Sequence, residues 1–210
     1  MRRLFGQRRS ARSVAVVRQV SGWLLHYPDD QLWYRLDLLE QCVDELGGLD
    51  AAAHLRPAVE YLRGTTPRAA EQHYVEVFDT KPRRGLYLTW YVHGDTRVRG
   101  GALAELVGVY REHGFRLEGG ELPDYLPALL EFTATGDRAA TRRGEQLLER
   151  FRPALELLAR KLGEIATPYE HVVRAVLATV AESGAPLPEV PPAEQVGLDP
   201  YPRAVGRGLS

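Results

Sequence analysis

Apolar residues recur every three to four positions through most of the chain, and breakers cut the pattern into roughly eight segments. From Ser13 to Leu25 the stripe is Val16, Val17, Val20, Trp23 and Leu24, the spacing of an amphipathic helix. Tyr27-Pro28 ends it, because a residue before proline avoids the α region. Asp29 and Asp30 follow, acids suited to the positive end of a helix. That second helix runs to about Leu46 on Leu32, Leu36, Leu39 and Val43, and Gly47-Gly48 stops it. Asp50 is the expected cap of a third helix over 51–63, with a kink expected at Pro57. Thr66 caps a fourth that starts at Pro67 and turns Tyr74, Val77 and Phe78 inward.

A basic, breaker-rich loop over 79–85 comes next. The following helix is expected from Asp95 to His113, on Leu103, Leu106, Val107 and Tyr110. After Gly119-Gly120, the segment Leu122–Pro127 leads into a helix with Leu126, Leu129, Leu130 and Thr133 on one side, ending at Gly136. Over 138–165, Leu148, Phe151, Leu155, Leu158, Leu162 and Ile165 step as a packed seam does. Pro153 interrupts that seam, so a kink or two abutting helices is expected. Thr167-Pro-Tyr-Glu170 reads as a capping box before a last helix with Tyr169, Val172, Val173, Val176, Leu177 and Val180 inward. Leu86–Val92 has strand-like residue types, but a lone strand has no partner. The expected fold is all-α: a single-domain helical bundle over 13–184. A flexible basic arm precedes it at 1–12, and a Pro-rich tail at 185–210 has the composition of disorder.

Composition changes this picture little. The apolar fraction of 44% and charged fraction of 26% are those of a soluble globular chain. Net charge is −1, but residues 1–12 hold five arginines and no acid, which leaves the remainder acidic. The paired arginines are those of an export signal, yet Arg18, Gln19 and Ser21 break the apolar region such a signal needs. No run of 18 apolar residues marks a membrane helix. One cysteine, Cys42, builds neither a disulfide framework nor a thiolate metal site.

Catalytic signatures are missing. The sequence contains no phosphate loop, dinucleotide fingerprint or nucleophile elbow. The six histidines are scattered without ligand spacing. Neither a metal nor a cofactor is expected, and the reading is a binding module, not an enzyme.

The least ordinary stretch is 86–101, LYLTWYVHGDTRVRGG. Tyr87, Trp90, Tyr91 and His93 precede a glycine; Asp95, Arg97 and Arg99 follow it. The arginines sit where positive charge opposes the helix dipole, and Gly100 and Gly101 lie inside a helix at a cost of up to about 1 kcal/mol each. Local rules fail most often at functional or strained sites. Asp95 is placed to cap the helix and hold Arg99 one turn on. The rings are either core or the rigid contact area of a binding surface. A third reading is an anion site at the helix start.

The combination of Tyr74-x-x-x-Phe78-Asp79, GDTRVRGGAL, Tyr110-x-x-x-Gly114 and LPDYLPALLEF resembles the NarJ-type nitrate reductase assembly chaperones. That family is also called the nitrate reductase delta subunit and is grouped with the TorD/DmsD redox-enzyme maturation proteins. The similarity spans roughly 13–184 and includes TPYEHVVRAVL. It implies a cytoplasmic, all-helical, non-catalytic chaperone. The implied partner is the catalytic (alpha) subunit of respiratory nitrate reductase, with its N-terminal twin-arginine-like peptide. Such a chaperone keeps the apoenzyme competent until the molybdenum cofactor is inserted and delays docking to the membrane subunit. It is not a subunit of the finished enzyme, and neither nucleic acid nor stable membrane association is implied.

A peptide groove needs apolar walls, rings and acids. Asp95, Asp124 and Glu131 are the candidate acids, with Asp79 behind them. Tyr27, Trp90, Tyr91, Tyr125 and Leu126 are the candidate walls, and Tyr87, His93, Arg97 and Arg99 complete the set. Asp124 has a second reading as a plain helix cap, and Glu131 as plain surface. Two alternatives stay open: an adaptor whose basic arm binds nucleic acid, and an anion- or nucleotide-binding domain.

Overall fold

A computed structural model describes residues 10–80, 82–94, 96–117 and 119–182. The expected tail, most of the basic arm, and Asp95 lie outside the described residues. Arg12, counted above with the arm, lies in the first turn of the first helix.

Nine α-helices form among the described residues. Helix α1 (Ala11–Leu24) is capped by the Ser10 hydroxyl, which accepts from the Ser13 amide at 3.0 Å. After the Tyr27-Pro28 break, Asp29 caps α2 (Asp30–Glu45) by accepting from the Gln31 and Leu32 amides. Helix α3 (Asp50–Gly64) has no side-chain cap; Asp50 is its first residue and not the cap, so its charge meets the dipole instead. It stays one helix through Pro57. Thr66 caps α4 (Pro67–Tyr74) as the sequence leads one to expect. Here the winding loosens into a π-helical turn over Val75–Asp79. The Arg84 side chain donates to the carbonyls of Val77 and Glu76, serving two acceptors of that irregular turn.

The strand-like segment is a short helix, α5 (Leu88–His93). Its extended character survives at Tyr87, which forms an isolated antiparallel bridge with Tyr125. Leu88 N–H donates to Asp124 C=O at 3.0 Å, and Leu126 N–H to Leu86 C=O at 2.8 Å. Two motifs far apart in sequence are thereby stitched edge to edge. Helix α6 (Arg97–Glu112) begins at Thr96, whose hydroxyl donates to the His93 carbonyl and not to the helix it precedes.

Helix α7 (Leu126–Thr135) is followed directly by α8 (Arg138–Gly163), which Asp137 caps through two 2.8 Å bonds. Pro153 does not divide α8; 26 residues run as one helix. In place of the expected capping box before α9 (Tyr169–Leu177), the Thr167 hydroxyl pairs with His73 Nε2 at 2.9 Å.

Helix α1 packs against α7 on one side and α9 on another; α8 backs both, and α3 covers α9. The buried apolar residues from Val17 to Val180 form one cluster. Arg18, 2% exposed, crosses this core to bond the Thr179 carbonyl and hydroxyl and pairs with Glu145. Arg152 reaches the Leu177 and Val180 carbonyls. Two guanidinium groups thus satisfy the free carbonyls at the end of α9.

Candidate functional site

Two adjoining cavities open along the seam where α1, the start of α2, the α6–α7 loop and α7 meet. The larger holds 470 Å³. Gln19, Gly22 and Trp23 of α1 form one wall, and Pro127, Ala128 and Glu131 of α7 face them. Phe115, Arg116, Leu117 and Glu121 close it from the α6–α7 loop. The smaller, 210 Å³, is lined by Tyr27, Tyr74, Phe78, Asp79, Leu86 and Tyr87. His26, Glu121 and Tyr125 line both, so the two are one groove.

Helix α1 lies close to α7 at Gly22: a Cβ there would lie 3.6 Å from the Pro127 carbonyl oxygen and 3.7 Å from Leu130 Cβ, ordinary van der Waals contact.

Aromatic rings build the floor. Tyr74 O–H donates to the Leu25 carbonyl at 3.1 Å and lies 3.2 Å from the Tyr125 hydroxyl. A phenol has one proton, so Tyr125 is the donor to Tyr74. Tyr27 stands edge-on to Tyr74 at 5.5 Å, and Tyr87 leans on Tyr125 at 5.6 Å. Burial pushes the Tyr74 and Tyr125 phenols up, so both stay neutral donors at physiological pH. Burial also raises Tyr87, aided by the Glu121 carboxylate. The Arg35 guanidinium lies 4.3 Å from the centre of the Trp23 ring, a cation–π contact that holds the ring at the mouth.

The rim is acidic. Asp29, Asp79, Glu121 and Glu131 line the groove against one guanidinium, Arg116. Among the described residues, none of these four carboxylates forms an ion pair. The Gln19 side-chain carbonyl is buried without a hydrogen-bond partner. Such a surface suits an extended or helical segment that brings cations, amide donors and apolar side chains together.

The residues singled out from the sequence divide between groove and core. Tyr27, Tyr87, Tyr125 and Glu131 line the groove, with Asp79. Tyr91, Asp124 and Leu126 are buried and present no surface to a partner in this conformation. Tyr91 O–H donates to the Gly85 carbonyl at 2.8 Å. The Asp124 carboxylate is 0% exposed: one oxygen accepts from the Thr89 amide and hydroxyl and from Arg99 at 3.5 Å. Arg99 also donates to the Thr89 hydroxyl at 3.1 Å. Its partner is therefore Asp124, 25 residues away, and the Asp95 pairing falls on a residue outside those described. Trp90 and His93 are half-buried and Arg97 exposed; none lines the groove. Gly100 and Gly101 face open space, with no backbone pressed against them. The α6 start thus has one of its two arginines committed internally, which weakens the anion-site reading.

Sequence reasoning missed Trp23, Gln19, His26, Phe115 and Glu121. The signal for the first three was present. Gln19, Trp23 and His26 sit at i, i+4 and i+7, so two polar side chains border the apolar stripe at Trp23.

Among the described residues, no three metal-ligating side chains gather and no helix is long and apolar enough to cross a membrane.

Comparison with known proteins places the chain. The nitrate reductase delta subunit family model matches residues 44–171. The nitrate reductase-like protein NarX of Mycobacterium tuberculosis is 39% identical over 164 residues, 78% of this chain; the chain spans only 24% of NarX. NarJ of Bacillus subtilis is 30% identical over 77% of this chain and 86% of its own length. The nitrate reductase molybdenum cofactor assembly chaperone NarJ of Escherichia coli is 32% identical over 70% of this chain and 61% of its own length. In fold, the chain is similar to a crystal structure from Archaeoglobus fulgidus assigned as a redox enzyme maturation protein. The TM-score is 0.56 at 19% identity, over 84% of this chain and 97% of that one. The chain belongs to the nitrate reductase delta subunit family, that of the NarJ assembly chaperones.

Proposed function

We propose that this protein is a cytoplasmic, non-enzymatic chaperone for the catalytic subunit of respiratory nitrate reductase. It holds a basic N-terminal peptide of that subunit in the α1–α7 groove until the molybdenum cofactor is inserted. It then leaves, so it is neither a subunit of the finished enzyme nor a membrane component. The observation that carries the reading is the groove itself: an aromatic floor under four carboxylates and one guanidinium. A peptide with arginines and apolar side chains matches both halves of that surface. Tyr27, Tyr87, Tyr125 and Glu131 are its contacts, joined by Trp23, Asp79 and Glu121. The relatives whose names state a role are assembly chaperones for this enzyme, which supports the choice of client. Family membership gives no support to a nucleic-acid adaptor.

Calorimetry tests this directly. A synthetic peptide of the first ~15–30 residues of the catalytic subunit, the usual leader length, should bind. Replacing Glu121 and Glu131 by lysine should weaken binding at least about tenfold, or 1.4 kcal/mol. Absence of heat at high micromolar peptide would overturn the peptide part of the reading.

A further inference from the structure

Residues 1–9 precede the Ser10 cap of α1 and lie outside the described residues; they read MRRLFGQRR. Two arginine pairs flank an apolar Leu4-Phe5, and no acid is present. That composition is the complement of the groove, whose carboxylates at Asp79, Glu121 and Glu131 make no ion pair among the described residues. We propose that the chain's own N-terminal arm folds back into this groove as an intramolecular pseudo-ligand, which a client peptide must displace. This rests on the reading that the groove takes a basic peptide.

Reach permits it. Gln19 and Trp23 lie nine and thirteen residues beyond Ser10 on α1, about 14 and 20 Å along the helix at 1.5 Å per residue. Nine extended residues span up to ~30 Å. An arm that reverses at Ser10 and runs back beside α1 therefore covers the larger cavity and brings its arginines to Glu131 and Glu121.

Tethering makes weak contacts sufficient. A short linker gives an effective concentration on the order of 1 mM. An arm with an intrinsic Kd of about 0.1 mM then occupies the groove roughly nine-tenths of the time. A client peptide sees its apparent affinity cut about tenfold, in proportion to the free fraction. Weaker basic segments are excluded, and the acidic groove is bare only about a tenth of the time.

The test uses the full chain. A nitroxide is attached at position 6 in a Gly6→Cys variant whose natural cysteine is removed by Cys42→Ser. It should broaden the NMR signals of the Trp23 indole N–H and the Gln19 side-chain amide. Adding Glu121→Lys and Glu131→Lys to that chain should abolish the effect. No broadening overturns the proposal. Broadening that grows with protein concentration assigns the groove to the arm of a second copy and overturns the intramolecular form. In parallel, a chain with Arg2, Arg3, Arg8 and Arg9 replaced by serine should bind the leader peptide about tenfold more tightly than the unmodified chain. Equal affinities overturn displacement and leave the client reading standing. Failure of both chains to bind the peptide overturns the client reading, while the nitroxide experiment still decides on the arm.

Discussion

The Asp124 carboxylate sits where water does not reach, and three donors converge on one of its oxygens. Thr89 supplies two of them from the first turn of α5. Asp124 therefore serves as a cap delivered from a distant part of the chain. Removing it leaves the Arg99 guanidinium and the Thr89 amide without their acceptor. Breaking such a pair costs several kcal/mol, moderated here because the Arg99 side chain is 18% exposed. Asp124→Ala should lower the unfolding free energy by about 3 kcal/mol, read as the midpoint of urea denaturation. Arg99→Ala should cost less, since both Thr89 donors stay with the carboxylate. An unchanged midpoint for Asp124→Ala would refute the assignment. The sequence marks this aspartate as unusual but not as buried. An acid between Pro123 and Tyr125 reads the same whether it faces a partner or a neighbouring helix. Only the stitch between Leu86, Leu88 and the 124–126 segment decides, and those bonds join residues more than thirty positions apart.

Among the elements, the helices were legible because their signal is local. The 3.6-residue period, the acids Asp29 and Asp30 at the start of α2, Thr66 as a cap, and glycine stops all lie within a turn or two of what they govern. Failures came where a distant partner outbid a local one. Thr167 has the spacing of a capping box, yet its hydroxyl goes to His73, 94 residues away. Leu88–His93 carries strand-forming types, yet Asp124 gives the Thr89 amide an acceptor and the segment winds into a helix. Pro153 removes one intrahelical bond, yet α8 continues because its apolar seam is buried on both sides of it. The tightest junction is between α7 and α8, where a Cβ on Gly144 would lie 2.2 Å from Thr133 Cγ2. The Thr133 hydroxyl is held by the Leu130 carbonyl at 2.7 Å, so rotating its methyl away breaks that bond. Alanine favours a helix interior over glycine by about 1 kcal/mol, but overpacking of this kind costs about 1–3 kcal/mol. Gly144→Ala should therefore destabilise the protein, and a rise in its thermal midpoint would show that the α7–α8 contact yields more easily than described.

At the scale of the molecule, pH acts through the α3, α4 and α9 contact. His73 stacks on Tyr169 at 5.7 Å, and His54 lies 6.4 Å from His171. Burial holds both His54 and His73 below the ordinary histidine range; for His54, the nearby His171 and Arg174 add to it, against Asp50 and Glu170. The folded form thus binds fewer protons than the unfolded chain, whose histidines titrate near pH 6.5. The stability these two rings contribute is complete above about pH 6.5 and is lost as pH falls through their depressed values. Unfolding free energy should decline from pH 7 to pH 5, and a His54→Gln/His73→Gln chain should show a flatter profile. Matching slopes would assign the decline to carboxylates instead. The tyrosine floor has a different consequence. Tyr74, Tyr125 and Phe78 belong at once to the groove and to the buried cluster, so the groove floor is part of the packed core. Under the proposed function, nearly all of the disorder lost on association would then belong to the incoming peptide. Affinity is accordingly gained by stiffening the guest: a cyclised or proline-locked peptide holding the bound shape should dissociate more slowly, whereas further bracing of the host has little left to contribute.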